Sequence, residues 1–257
     1  MTPRTVPSGF VELRQDAQVW WVKEGWEHLV PSALRAFASS RSSILKRPAT
    51  GGRGYVQRLP LGHGASAILR RYHRGGFLRH FVHDTYWDRP FRPLAELTCT
   101  EAARLRGVPA IETLAAGIEW RPFGLYRGVF ISREITGAVN MWEWLQGTNT
   151  QSERRAIIDA TARTVASLHA AGVYHADLNL TNILVRPSPS PQAFIIDFDR
   201  ARLFPGPLLQ HLRQRNLRRL RRSLQKLDPR GHWYGPDDLE TFCATYNAHY
   251  AVLAPRP

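Results

Sequence analysis

His175-Ala-Asp177-Leu-Asn-Leu-Thr-Asn182 gathers a histidine, a carboxylate and a carboxamide into one polar stretch, and Asp197-Phe198-Asp199 begins fifteen positions after Asn182. Transfer of a γ-phosphoryl group needs two kinds of oxygen donor. One set holds the Mg²⁺ that neutralises phosphate charge, and a separate carboxylate orients and deprotonates the attacking hydroxyl. Asn182 and Asp197 have the chemistry of the metal ligands, and Asp177 that of the base. Taken singly, Asp177 and Asn182 are ordinary turn-stabilising types and His175 an ordinary core histidine. Together, in this order and between elements that can fix them, they point to phosphoryl transfer.

Those elements are legible on both sides. Thr150-Gln-Ser-Glu153 has the pattern of a capping box, in which hydroxyl and carboxylate each satisfy the other residue's amide. Ile158, Thr161, Val165 and Leu168 then share one helical face, and Gly172 ends the helix. After Asn182 come a short strand, Ile183–Val185, a turn of alternating Ser and Pro over 187–191, and a second strand, Phe194–Ile196. Upstream, Gly62-His63-Gly64 separates two strand-like stretches, the second running from Ala65 to Tyr72. A helix is expected from Leu94 to Arg106, closed by Gly107 and Pro109, and a further strand around Arg127–Ser132. Residues 1–45 are rich in aromatics without a chemical motif, and read as strands and a short helix. The order is strand-rich first and helix-rich second.

With 257 residues, 43% of them hydrophobic, the chain can bury a sizeable core, which excludes disorder and a small disulfide scaffold. Cys99 and Cys243 lack metal-ligand spacing, so neither a zinc site nor a disulfide framework is expected. The N-terminal residues show no apolar signal region, and no run reaches the roughly 18 apolar residues of a membrane span. Charge is the unusual property: the net value is +14, carried by 32 Arg and only three Lys, namely Lys23, Lys46 and Lys226. Residues 200–230 hold +9 of it. Within that run Leu217, Leu220, Leu224 and Leu227 recur at three- and four-residue intervals, giving a helix with an apolar face and cationic flanks. An anionic surface is the expected partner of helix 211–227, and a lipid headgroup suits one short helix better than nucleic acid.

The chain resembles the protein-kinase-like superfamily and, more narrowly, the bacterial lipopolysaccharide kinases of the 3-deoxy-D-manno-octulosonic acid (Kdo) kinase type. His175–Asn182, Ile195-Ile-Asp-Phe-Asp-Arg-Ala-Arg202, Leu69-Arg-Arg-Tyr-His-Arg-Gly-Gly76 and Asn216-Leu-Arg-Arg-Leu-Arg-Arg-Ser-Leu224 carry the resemblance. It implies an α+β, two-lobed kinase-like fold with ATP between the lobes. Residues 1–137 would form the N-terminal region and ATP-covering antiparallel sheet lobe, and 138–257 the mainly helical catalytic lobe with its basic helix. It implies Asp177 as catalytic base, Asn182 and Asp197 as magnesium ligands, and a phosphate-covering turn at Gly52 and Gly54. Glu96 falls where the helix glutamate of the ion pair would sit, and Glu134 and Ile135 at the hinge that meets adenine through backbone atoms. The strand position of the usual phosphate-pairing lysine is Arg70, which could make a bidentate contact with phosphate or with Glu96. Asp199 stands in place of the glycine of Asp-Phe-Gly, which argues against a flipping activation switch.

The resemblance further implies phosphorylation of the 4-hydroxyl of Kdo on a lipid A precursor, at the cytoplasmic face of the bacterial inner membrane. The protein would be peripheral there, with no obligate protein partner. A kinase for heptose, a small molecule or a protein serine, and an anion-binding pseudokinase, are the alternatives.

Overall fold

The computed structural model describes residues 6–38, 56–72, 85–87 and 91–254, which divide into two compact units. One unit contains Thr2–Glu101 and Glu112–Thr136, the other Ala102–Ile111 and Gly137–Pro257.

The first unit is built on a six-stranded antiparallel sheet. Its strands are β1 (Phe10–Gln15), β2 (Gln18–Lys23), β3 (Val56–Gly62), β4 (Ala65–Arg71), β5 (Thr113–Arg121) and β6 (Leu125–Arg133), in the order β1-β2-β5-β6-β4-β3. Helix α1 (Leu29–Ala38) follows β2, and helix α2 (Arg92–Leu105) follows β4. Trp20, Leu69, Leu114, Val129 and Ile131 from the sheet pack with Leu29, Val30 and Ala33 of α1 in one buried cluster. Gly117 on β5 accepts the Trp20 ring so closely that a Cβ there would lie 2.5 Å from Cε3, so this strand position has no room for a side chain. The strand expected around residues 127–132 and the hairpin around Gly62-His63-Gly64 are both present. Strand β5 was not legible beforehand.

The second unit carries the loop chemistry. Strand β7 (Val139–Asn140) leads into the short helix α3 (Met141–Leu145), followed by the long helix α4 (Gln151–Ala170). The capping box forms as its pattern requires: Thr150 Oγ1 accepts from the Glu153 amide, and the Glu153 carboxylate accepts from the Thr150 amide. Ile158, Thr161, Val165 and Leu168 are all buried. Gly172 adopts φ +72° where Gly206 O passes so near that a Cβ would meet it at 2.3 Å. Both conditions select glycine there. Strands β8 (Val173–Tyr174), β9 (Ile183–Arg186), β10 (Gln192–Ile195) and β11 (Arg202–Leu203) follow, then helices α5 (Gln210–Leu227) and α6 (Pro236–Leu253). Strand β9 pairs with both β10 and β7, and β8 pairs with β11, all antiparallel. The Asp228 carboxylate accepts the amides of His232, Trp233 and Tyr234, which fixes the connection from α5 to α6. No helix among the described residues is long and apolar enough to cross a membrane.

Candidate active site

Between β8 and β9 the backbone is held by its own side chains. Asn179 Oδ1 accepts the amides of Thr181 and Asn182 at 2.9 and 3.1 Å and the Thr181 hydroxyl at 2.7 Å, while its Nδ2 donates to Asp177 O at 3.0 Å. Asn182 Nδ2 also donates to Asp177 O, at 2.9 Å, and lies 3.5 Å from Asp177 Oδ2. Two carboxamides therefore grip the carbonyl of Asp177 and leave its carboxylate exposed above the loop.

His175 is the buried post of this loop. Its Nε2 lies 3.0 Å from Ile196 O, its Nδ1 accepts the Asp177 amide at 3.2 Å, and its ring meets Phe198 edge-on at 5.4 Å. Burial pushes its pKa down, partly offset by the hydrogen bond to the Ile196 carbonyl and by the charges of Asp197 and Asp177. A neutral imidazole with its proton on Nε2 satisfies both ring nitrogens. The same ring thus links Asp177 to the Asp197 turn, a link reinforced by the Ile196 amide donating to Asn182 O at 3.0 Å.

Asp197 has φ +64°, in the left-handed region that Asp tolerates better than most residues. The positive φ values of this turn fall on Asp197 and Arg200, and Asp199 is not among the residues that have one. An aspartate at 199 in place of glycine therefore meets no backbone penalty.

Helix α5 closes the loop from the other side. Asn216, fully buried, accepts the His175 amide at 3.2 Å and donates to the His175 carbonyl at 2.8 Å. One turn on, Arg219 Nη1 donates to Asp177 Oδ1 at 2.9 Å, and Ser223 Oγ receives the Leu180 amide at 3.4 Å. Asn216, Arg219 and Ser223 form a polar stripe at helical spacing. Sequence reasoning missed all three as loop partners, having treated the arginines as a surface for an external anion. The stripe was the available signal.

In the first unit, Arg70 on β4 reaches Glu96 on α2. Its Nη2 donates to Oε1 and Oε2, both at 2.6 Å, and the Tyr72 hydroxyl donates to Oε2. The guanidinium lies over the Tyr72 ring at 4.9 Å from its centroid, and Glu96 is 1% exposed. Glu134 pairs with Arg58, and its amide donates to Ser66 O at 2.8 Å; Ile135 beside it is half-buried. Gly52 and Gly54 lie outside the described residues.

The family model described as the lipopolysaccharide kinase (Kdo/WaaP) family matches residues 35–246. The chain belongs to this family. A 3-deoxy-D-manno-octulosonic acid kinase of Stenotrophomonas maltophilia strain K279a is 37% identical over 208 residues, covering 78% of each chain. The Vibrio vulnificus strain YJ016 enzyme of the same name is 32% identical over 177 residues, 67% of this chain and 71% of its own. Among solved structures, WaaP in complex with acyl carrier protein aligns at a TM-score of 0.59 with 16% identity, over 93% of this chain and 89% of that one. That likeness establishes a shared kinase-like fold.

In this Kdo/WaaP-family chain the donor set suits magnesium. With Asn182 Nδ2 turned to the Asp177 carbonyl, Oδ1 is the amide's remaining ligand atom, and Asp197 adds a carboxylate. Magnesium is commonly held by one or two such protein oxygens, with water and substrate phosphates completing the octahedron. The described residues contain no cluster of three or more His, Cys, Asp or Glu able to hold a metal.

Proposed function

We propose that the protein is an ATP-dependent kinase that phosphorylates the 4-hydroxyl of a Kdo residue on a lipid A precursor, with Asp177 as the catalytic base. The observation that carries this reading is the Asp177–Asn182–Asp197 arrangement within a chain that matches Kdo kinases over most of its length. Residues 1–137 would cover the nucleotide and residues 138–257 supply the base and metal ligands.

Asp177 accepts the proton of the sugar hydroxyl as that oxygen bonds to the γ-phosphorus and the bond from the γ-phosphorus to the β,γ-bridging oxygen breaks, releasing ADP. Arg219 holds Oδ1 at 2.9 Å and Asn182 Nδ2 stands 3.5 Å from Oδ2, so the carboxylate is fixed in direction with Oδ2 the better acceptor for the hydroxyl, and orientation of this kind contributes directly to rate. Asn182 and Asp197 would hold Mg²⁺, which would neutralise the negative charge of the ATP phosphates. Arg70, anchored by buried Glu96, places a permanent cation toward the phosphates as the usual lysine would. At the adenine, Glu134 has committed its amide to Ser66, so its carbonyl serves with the backbone of Ile135.

The cationic outer flank of α5 supports a peripheral position on the anionic cytoplasmic face of the bacterial inner membrane. Incubation of the purified protein with γ-labelled ATP and Mg²⁺ against Kdo-lipid, heptosyl-lipid and protein acceptors tests the assignment. Label is expected on the Kdo-lipid, and transfer only to heptosyl-lipid or protein would refute it.

A further inference from the structure

Within the second unit, α3, α4, α5 and α6 leave a groove of about 520 Å³ that the phosphotransfer chemistry does not use. That volume lies within the roughly 300–1,000 Å³ of small-molecule sites. Its wall is apolar, with Met141, Ile158, Leu217, Leu224 and Phe242 among its residues. Leu217 and Leu224 of α5 point their side chains at this space and are only half-buried, so the helix's apolar stripe is not fully covered by its own unit.

The hydroxyls in the wall are turned to protein partners. Thr161 Oγ1 faces Met141 Sδ, the Tyr234 hydroxyl donates to Asp238 O at 3.2 Å, and the Tyr246 hydroxyl lies 2.8 Å from His169 Nδ1. Gln214 and Asn247 add two carboxamides to an otherwise apolar wall, so a nucleotide or sugar would find few partners there, whereas an alkyl chain needs none. Arg218 and Arg221, both exposed, stand at the rim, on a helix with seven cations and no acid. Leu180, three residues beyond Asp177, lines the same groove, and α5 itself contacts Asp177 through Arg219. The groove therefore reaches the loop that carries the base.

Building on the kinase reading above, we propose that this groove takes an acyl chain of the glycolipid acceptor, with Arg218 and Arg221 meeting anionic groups of its head. Seating the chain anchors the lipid so that its sugar is delivered to Asp177. Apolar lining, cationic rim and contact with the catalytic loop together match an amphiphile with an anionic head.

The full-length protein is assayed with ATP and Mg²⁺ against acylated acceptor and the same glycolipid after complete deacylation. The expected result is a KM at least tenfold lower for the acylated form. Leu217→Gln and Leu224→Gln, tested separately, should bring the KM ratio of the two forms close to one. Saturable binding of a fluorescent long-chain acyl probe, displaced by acylated acceptor and weakened in both variants, gives a readout without turnover, and unchanged thermal melting shows that the variants fold. Equal KM values for the two acceptors overturn the proposal, as does a wild-type KM ratio in both folded variants. Displacement of the probe by phospholipid vesicles but not by acceptor assigns the groove to membrane lipid and also overturns it. Failure to phosphorylate either acceptor, with the probe still displaced by acylated acceptor, supports the groove and refutes the kinase reading instead.

Discussion

Arg219 Nη1 donates to Asp177 Oδ1 at 2.9 Å, bringing a helix side chain onto the carboxylate of a loop 42 residues earlier. Both side chains are substantially exposed, 44% for Arg219 and 57% for Asp177. A solvated pair of this kind contributes only about 0–1 kcal/mol to stability. Its consequence is directional: Arg219 holds Oδ1 closely, while Asn182 Nδ2 approaches Oδ2 only at 3.5 Å, so Oδ2 is the oxygen better able to accept from a substrate hydroxyl. Arg219→Gln should therefore shift the melting temperature little while lowering kcat by roughly ten- to 100-fold, with Arg219→Lys in between. A kcat equal to wild type in a folded Arg219→Gln protein would dismiss this positioning role.

Asp177→Asn preserves the backbone carbonyl gripped by Asn179 and Asn182 while removing the proton acceptor and the negative charge that pairs with Arg219. Phosphoryl transfer should fall by roughly 100- to 10,000-fold, with ATP binding retained. Calorimetric titration with a non-hydrolysable ATP analogue, alongside the kinetic assay, separates lost chemistry from lost fold.

Arg70 and Glu96 are coupled more tightly, because the carboxylate is buried. Truncation of one member of a buried pair typically costs about 3–5 kcal/mol; since Arg70 is 27% exposed, the lower end is expected for Arg70→Ala. Glu96→Gln/Arg70→Ala should recover part of the loss, since no uncompensated charge then stays buried. Urea unfolding of the single and double variants measures this, and strictly additive losses would contradict the coupling.

Acid should weaken the second unit through His169. Burial pushes its pKa down from 6.5 to about 3, so the folded protein resists a proton that the unfolded chain accepts. The associated stability is complete above about pH 6.5 and declines as pH falls toward 3, with a slope approaching about 1.4 kcal/mol per pH unit. Thermal melting from pH 8 to pH 5 should show the decline below pH 6.5, and His169→Gln should flatten it. An unchanged slope in that variant would assign the acid sensitivity elsewhere.

Salt should separate membrane docking from nucleotide binding. The screening length shrinks from ~10 Å at 0.1 M to ~3 Å at 1 M, and the outer arginines of α5 are exposed. Sedimentation with anionic vesicles is expected to fail at salt concentrations that leave ATP affinity largely intact. Equal binding to neutral and anionic vesicles would count against an electrostatic contact.

Local rules made part of this architecture readable. Thr150 and Glu153 stand three apart and cap α4 by a rule that needs no tertiary context, and Asp177, Asn182 and Asp197 keep a spacing fixed by a loop and a hairpin. Strand β5 escaped notice because Leu114-Ala115-Ala116-Gly117 is buried on both faces and shows no alternation. Helix α6 was equally silent: only Phe242 and Tyr246 are buried in its eighteen residues, so its apolar stripe is narrow. The basic run announced a cationic amphipathic helix, yet nothing in a series of arginines distinguishes the one that meets Asp177. That choice depends on how α5 is rotated against the loop, which Asn216 and Ser223 determine.

Asn216 meets the backbone of His175 as a neighbouring strand would, offering one acceptor and one donor to the amide and carbonyl of a single residue. An isosteric aspartate would keep the shape and reverse one interaction, setting a carboxylate oxygen against the His175 carbonyl. Position 216 therefore discriminates by polarity rather than size: the helix carries a peptide-like plug, and the loop that bears the base is its socket.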